Sequence, residues 1–479
     1  MALNQYTPEE PITSIATALA PAALGIVRVS GKGCIELVSK VFSRPRALYE
    51  APGNSVVYGW IITPGGPEQK AGVPEPVEGQ QTKVQKIDEV MCAVYRAPKS
   101  YTGEDMVEIM CHGGPSVVTA IQNLLLKNGF RQANRGEYTF RAYINGKTDL
   151  TKAEAVREII DSHTDDSRSH AAGRLAGALF AEIDSIKKLV VDTVAAIEVE
   201  IEYPEDEETI ADTFDRGDLE QAVSRLQSLV DSWKGEKLYQ DGARVVLAGR
   251  TNAGKSSLFN AILKEERAIV SDIEGTTRDW LESWAGINGI PVRLFDTAGL
   301  RATDDAVEAQ GVELSRSLVN DADVVLYLVD SVTGMNEEDE AFLNACQVPC
   351  ILVWTKIDSQ GSLSFVEGPG NVRLLPEVRL SSKTGTGLSD LFNQIEKILT
   401  SGLSTERTQA GLGSARQKDA VAEALERVKH ALKAAADNYS LDAVVQDLED
   451  ALDSLGEVTG IVTPDDVLGS IFANFCVGK

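Results

Sequence analysis

Paired cysteines, clustered histidines, an excess of positive charge and long apolar runs are all missing from this 479-residue chain. The six cysteines (Cys34, Cys92, Cys111, Cys346, Cys350 and Cys476) are scattered without a CxxC spacing, which points to reduced thiols and away from a disulfide framework or zinc site. Only four histidines occur, His112, His163, His170 and His430, and none is spaced as a metal-binding pair. Lysine and arginine total 46 against 72 acidic residues, a formal net charge of −26 that favours solubility and repels polyanions on average. Any nucleic-acid partner must therefore meet a local basic patch or be presented by another protein. No apolar stretch approaches the ~18 residues of a membrane span. Glu9 and Glu10 precede the mildly apolar residues 12–29, where an export signal carries positive charge. A cytoplasmic protein without membrane association is expected.

The length allows about three domains. Residues 1–145 alternate short β-rich runs (24–29, 90–95, 106–110) with turn clusters and one apolar helix near 117–126, the pattern of an α+β module. Within it, residues 63–86 are rich in Pro, Gly, Gln and Glu without apolar spacing and read as a surface insertion with no fold of its own. Residues 146–240 show helical spacing through Val156, Ile159 and Ile160, then Leu175, Leu179, Ile183, Ile186, Val190, Val194 and Ile197. Residues 241–402 switch to strands alternating with helices, the order of a doubly wound parallel sheet, and residues 403–479 become helical again. Helices on both sides of one α/β unit predict an inserted domain whose all-α flanks pack together.

The chemistry concentrates in that inserted unit. A strand at 245–248 runs into Gly249-Arg-Thr-Asn-Ala-Gly254-Lys255-Ser256 and then a helix through Ser257, the context of a phosphate-binding loop. Gly254 lets backbone N–H groups of Asn252, Ala253 and their neighbours turn toward phosphate oxygens. Lys255 reaches the β and γ phosphates, and the Ser256 hydroxyl ligates magnesium. Four further elements follow in order. Ser271-Asp272-Ile273-Glu274-Gly275-Thr276-Thr277 supplies a second magnesium hydroxyl at Thr277. Asp296-Thr297-Ala298-Gly299 ends the second arm of a hairpin turned by Asn288-Gly289, and Asp296 is expected to hold magnesium through water. Thr355-Lys356-Ile357-Asp358 provides a carboxylate that accepts both N–H groups of the guanine edge, which adenine lacks, and Ser381-Ser382-Lys383 closes the base pocket. Together these predict a Ras-like P-loop GTPase. Leu300 occupies the place where many small GTPases carry a water-orienting Gln, so Asp304, Asp305 and Glu308 are the nearby acidic alternatives.

The strings GRTNAGKSSLFNAIL, SDIEGTTRD and DTAGLRATDDAVE, with GIVRVSG, YTGEDMVEIMCHGGP, RGEYTFRAYINGKTDLTKAEAV and a terminal FCVGK, resemble the MnmE/TrmE family of tRNA-modification GTPases over nearly the whole chain. The resemblance implies an N-terminal folate-binding and dimerisation domain, a helical domain made from both flanks, and the inserted GTPase domain. It implies a homodimer that works on tRNA with an FAD-containing MnmG/GidA-type partner, as a heterotetramer or larger. The product would be an aminomethyl or carboxymethylaminomethyl group at C5 of the wobble uridine, from 5-formyltetrahydrofolate or methylenetetrahydrofolate. It further implies potassium beside the nucleotide, held by Asn252, Ser271, Ile273 and Thr276, with Glu308 as the water-orienting acid. Folate contacts fall on Arg28, Glu108, Lys147 and Lys479, and Cys476 is a possible functional thiol. Departures from the family pattern are Ala20-Pro-Ala-Ala23 in place of a Gly-rich stretch, Thr355 in place of Asn, and Arg135 in place of Pro.

Two other classes compete. A regulatory RNA-binding GTPase of ribosome assembly would need a basic RNA-reading module, and none is evident in so acidic a chain. A helical scaffold with a degenerate nucleotide fold would lack the full set of phosphate, magnesium and guanine elements.

Overall fold

The computed structural model describes residues 10–63, 84–202, 216–265, 281–296, 317–359, 375–403, 410–437 and 440–478. The chain divides into two compact units, Met1–Glu154 with Thr459–Lys479, and Ala155–Val458. Elements are numbered in chain order among the described residues.

The first unit contains β1 (Ile12–Ile15), β2 (Ala22–Ser30), α1 (Cys34–Ser39), α2 (Pro45–Tyr49), β3 (Ser55–Ile62), β4 (Lys86–Tyr95), β5 (Met106–Gly113), α3 (Pro115–Lys127), β6 (Arg131–Gln132) and α4 (Glu137–Ile144). Its sheet runs β3-β4-β5-β2-β1-β6, antiparallel except for the β1–β6 pair. Strand alternation sets the layering: Val90, Cys92 and Val94 face the core while Met91 faces out, and Val118, Ile121 and Leu125 of α3 close that core at helical spacing. Pro115 stands at the first helical position of α3, where no donor is lost. The arms of the β3–β4 hairpin stay paired up to Thr63, whose N–H donates to Gln85 O at 2.9 Å. The insertion expected at 63–86 lies, for residues 64–83, outside the described residues.

The second unit contains most of α5 (Leu150–Asp161), then α6 (Asp165–Leu175), α7 (Ala178–Glu202), α8 (Arg216–Asp241), β7 (Ala243–Gly249), α9 (Lys255–Glu265), β8 (Leu281–Ile287), β9 (Ile290–Asp296), β10 (Val324–Asp330), α10 (Glu337–Ala345), β11 (Cys350–Thr355), β12 (Glu377–Arg379), α11 (Leu388–Leu399), α12 (Ala415–Ala436) and α13 (Leu441–Thr459). Ile186, Val190 and Ile197 of α7, Leu226 of α8, Val421 and Val428 of α12 and Leu448 of α13 meet in one helical core. The flanks of the insertion thus pack on each other. The second sheet runs β12-β11-β10-β7-β9-β8, parallel except for β8. Val245 and Leu247 face α9 and α11 while Val246 and Ala248 face α10, so both faces of β7 are covered. Asn288 and Gly289 turn the β8–β9 hairpin with φ of 49° and 84°, both left-handed, as a two-residue type I′ turn requires.

The final helix, α14 (Asp465–Ala473), belongs with the first unit, although helical spacing alone groups it with α12 and α13. The cause is aromatic packing: the Phe472 ring lies edge-on to Phe140 at 5.2 Å and beside Phe475 at 5.5 Å. Among the described residues, no helix is long and apolar enough to cross a membrane.

Candidate functional site

The nucleotide site grows from the end of β7. Gly249 has φ of 132°, and a Cβ there would stand 2.4 Å from Leu328 O, so only glycine lets β10 lie against the start of the loop. The loop then turns at Asn252 (φ 64°) and Gly254 (φ 97°) and enters α9 at Lys255. The Lys255 ammonium is nearly buried and donates to Gly249 O and Arg250 O, both at 2.9 Å, which fixes its charge within the loop. Ser256 Oγ donates to Asp296 Oδ2 at 2.7 Å. Two oxygen side chains expected at magnesium, from α9 and from the end of β9, are therefore in contact. A hydroxyl and a carboxylate side by side are the hard donors magnesium takes, so these residues fit that ion. Ser257 follows on the exposed side of α9.

At the base end, Asp358 Oδ1 accepts from Ser381 Oγ at 2.7 Å. That bond, with the positive charge of Lys383 nearby, holds the Asp358 carboxyl below the usual carboxylate range. Lys383 is exposed and Ser382 half-buried. Lys356, itself at φ of 59°, donates from Nζ to Asn252 O and Asp330 Oδ2, both at 2.7 Å. Burial raises the Asp330 pKa, but the Lys356 ammonium and the Val332 N–H outweigh it and hold the carboxyl below its ordinary value. Thr355 is buried, and its Oγ1 donates to Ala253 O at 2.7 Å, with Val329 O at 3.3 Å. The structure thus gathers Asn252, Ala253, Gly254, Lys255, Ser256, Asp296, Thr355, Lys356, Asp358 and Ser381 at the carboxyl ends of β7, β9, β11 and β12. Ligands of open α/β sheets bind at those ends.

Several residues of this site were not found from sequence. Arg250 Nε pairs with Asp339 Oδ2 at 3.0 Å, and Asp339 is fully buried, accepting from Tyr327 OH at 2.8 Å and from Asn336 N–H at 2.9 Å. The Asn336-x-x-Asp339 capping box at the start of α10 was the visible signal. Asp330, at the end of a buried strand, carried no signal beyond its position. Ser271, Asp272, Ile273, Glu274, Gly275, Thr276, Thr277, Thr297, Ala298, Gly299, Glu308 and Lys479 lie outside the described residues.

A second cluster lies in the first unit. Arg28 on β2 and Glu108 on β5 are cross-strand neighbours, joined from Nη2 to Oε1 at 2.7 Å and from Nε to Oε1 at 2.9 Å. The Arg28 guanidinium lies 5.9 Å from the Tyr101 ring centre and 5.6 Å from that of Tyr138, and its Nη1 donates to Gly478 O at 2.9 Å. Arg28 is thus a paired, half-buried group. Lys147 is exposed and donates from Nζ to Pro98 O at 3.0 Å. The tail reaches this cluster through a bridge of Val477 to Arg135, and Gly478 has φ of 98° with a would-be Cβ 2.7 Å from Ile15 O. Phe475 is buried beside α4, while Cys476 is exposed.

Two family models match the chain, "MnmE helical domain" over residues 150–476 and "GTP-binding protein TrmE N-terminus" over residues 11–147. The tRNA modification GTPase MnmE of Treponema denticola is 48% identical, over 100% of each chain. The protein of the same name from Treponema pallidum (strain Nichols) is 41% identical over 100% of each, and that of Carboxydothermus hydrogenoformans is 38% identical over 98% of this chain and 100% of its own. Among solved structures, the G domain of the Thermotoga maritima FeoB iron transporter is 28% identical, covering 33% of this chain and 98% of that one at a TM-score of 0.25. A structure of Aquifex aeolicus Era bound to GDP and AlF4− is 25% identical over 39% and 66%, at a TM-score of 0.26.

Proposed function

From the premise that the chain belongs to the MnmE family of tRNA modification GTPases, we propose a potassium-dependent GTPase that modifies C5 of the tRNA wobble uridine with an FAD-dependent partner and a tetrahydrofolate one-carbon unit. The observation that carries the GTPase part is the contact of Ser256 with Asp296 beside the loop-held Lys255, with Asp358 fixed by Ser381 at the base end.

The roles follow from the chemistry of these groups. Lys255 offsets the charge of the β and γ phosphates, and the N–H groups of the loop at residues 253–256 donate to their oxygens. Asp358, kept anionic by the Ser381 hydroxyl, accepts the two guanine N–H groups. Ser256 and Thr277 would hold magnesium, with Asp296 beside Ser256; the ion would neutralise phosphate charge. Asn252, Ser271, Ile273 and Thr276 would hold potassium, which would supply positive charge to the phosphates in place of an arginine. Glu308 orients the attacking water.

In the first unit, the guanidinium, the carboxylate and the exposed Tyr101 ring beside Arg28 suit a pterin, which needs flat apolar contact and an acceptor for its amino edge. Glu108, Arg28, Lys147 and Lys479 are its proposed contacts, and the folate supplies the one-carbon unit. The assembly is a homodimer in the cytoplasm, joined by the FAD-containing partner. With a net charge of −26, this chain depends on local contacts or on that partner to meet tRNA.

Loss of the gene should remove the modified wobble uridine from bulk tRNA, read by nucleoside mass spectrometry; an intact modification overturns the assignment. Turnover of GTP by the purified chain should be much faster in potassium than in sodium, and equal rates would remove the cation from the scheme while leaving the GTPase in place.

A further inference from the structure

We infer that Lys99, Arg135 and Lys147 form a cationic rim beside the Arg28–Glu108 pair, and that this rim receives backbone phosphates of the tRNA anticodon. The inference rests on the tRNA reading above and adds where so acidic a chain meets the RNA.

The charge is unevenly shared between the two units. The first carries 17 lysines and arginines against 17 acidic residues, a net charge of zero, and the second carries 29 against 55, which is the whole of the −26. A polyanion is therefore repelled by the second unit and meets no average repulsion from the first. Local pairing decides where positive potential emerges on the first unit. Near Arg28 the carboxylates are occupied: Glu108 by Arg28 at 2.7 Å, Glu104 by Arg141 at 3.0 Å and Asp105 by Arg96 at 3.6 Å. Lys99, Arg135 and Lys147 are exposed, and among the described residues none of the three is paired with a carboxylate. Their charge faces solvent undiminished.

Two segments far apart in the chain bring these cations to one place. A Cβ at Gly103 would stand 3.2 Å from Lys147 Cγ, and Lys147 Nζ donates to Pro98 O at 3.0 Å, so this side chain crosses the turn that carries Lys99 and Tyr101. The Tyr101 ring centre is 5.9 Å from the Arg28 guanidinium. Arg135 arrives through the tail: it bridges to Val477, the residue before Gly478, whose carbonyl accepts from Arg28 Nη1 at 2.9 Å. Both routes end on Arg28. Its own charge is spent on Glu108 and that carbonyl, whereas the rim cations sit on flexible stems that can follow an irregular, single-stranded backbone. Such contacts position an RNA without reading its bases. Lys147 also serves the proposed folate contact, which leaves Lys99 and Arg135 as the pair whose task is the RNA alone.

The test is fluorescence anisotropy of a labelled anticodon stem-loop RNA with the full-length chain, titrated from about 50 to about 200 mM potassium chloride. Lys99→Glu/Arg135→Glu should weaken binding about 10-fold at the low-salt end and reduce the slope of log affinity against log salt by about two, one for each cation. Lys99→Arg/Arg135→Lys keeps both charges and should bind within about twofold of the parent. An RNA with cytidine at the wobble position should lose the same factor as the uridine RNA in the charge-reversed variant. Parent-like GTP turnover in that variant checks that it is folded. Parent-like RNA affinity and salt slope in the charge-reversed variant would overturn the inference. So would a loss confined to the uridine RNA, or a loss of pentaglutamyl 5-formyltetrahydrofolate with RNA binding intact, which would give these cations to the folate tail. A parent chain that binds no anticodon RNA at any salt also overturns it, and nucleoside analysis of a strain lacking the gene then shows separately whether the tRNA assignment itself stands.

Discussion

Arg174 offers the sharpest test of what holds the inserted domain to its helical support. Its guanidinium is 2% exposed and lies between Glu158 of α5 and Glu236 of α8, which are 13% and 5% exposed. It also donates to Gly411 O at 3.3 Å, on the segment that returns the chain to α12. Gly411 and Gly413 are glycines because a Cβ would stand 2.3 Å and 2.2 Å from the Glu236 and Glu158 oxygens. Arg174→Met keeps the volume and strands two buried carboxylates. Removing one partner from a buried ion pair costs about 3–5 kcal/mol. His170, 3.0 Å from Glu236, supplies partial compensation, so the lower end of that range is expected.

The pH dependence separates this cause from simple loss of packing. In the parent, burial raises the Glu236 pKa but the His170 bond and the Arg174 charge bring it below the ordinary 4.5. The stabilisation it provides is therefore present above the unfolded carboxylate range and is lost as pH falls through the depressed folded value. In Arg174→Met the burial of Glu236 dominates, its carboxyl rises, and protonation relieves it, so the deficit against the parent should shrink as pH falls from about 7 to about 5. Urea unfolding at several pH values, with hydrogen exchange of the α6 amides as the local probe, reads both effects. Arg174→Met/Glu158→Gln/Glu236→Gln should recover more than half of the loss. A deficit below about 1 kcal/mol at neutral pH, the scale of an exposed pair, or one that grows on acidification, would refute the reasoning.

Other outcomes follow from single contacts. Ser256→Ala removes the hydroxyl beside Asp296 and should weaken GTP about 10-fold in magnesium while leaving the magnesium-free affinity little changed, which titration with and without chelator measures. Gly136→Ala places a Cβ 2.6 Å from Phe472 O at a φ of 68° and should loosen α14 by about 1–3 kcal/mol, seen as faster exchange of its amides with the Glu137–Ile144 helix protected. Glu308→Ala should bind GTP normally and hydrolyse it at least about 100-fold more slowly in single-turnover assays; full hydrolysis would exclude its proposed role.

What the sequence made legible was local. The phosphate loop, the Asn288-Gly289 hairpin and the helical spacing of α7 each declare themselves within a dozen or so residues, because turn chemistry and apolar period are short-range properties. Strands β1 and β6, with four and two residues, are too short for a period, and they belong to the sheet through partners far along the chain. The same holds for the groups that fix the site. Thr355 meets Ala253 across 102 positions and Arg174 meets Gly411 across 237, distances at which no motif is read. Arg28 and Glu108 were singled out through the family resemblance, yet their pairing required knowing that β2 and β5 are neighbours in this register.

The β8–β9 hairpin ties these scales together. β8 begins at Leu281, directly after residues 266–280, and β9 ends at Asp296, directly before residues 297–316, so both strands terminate where the γ-phosphate elements are expected. Its other side rests on the helical corner between α5 and α6. The His163 ring stacks on Trp284 at 3.8 Å, Asp166 occupies the space a Cβ of Gly289 would need, and Trp284 fills that of Gly242, where α8 passes into β7. The Arg293 guanidinium sits over Trp284 and Phe295 at 5.4 Å and 5.8 Å, which braces the hairpin from within. The two strands pair along seven residues each and cannot shift separately without moving every side chain to the wrong face.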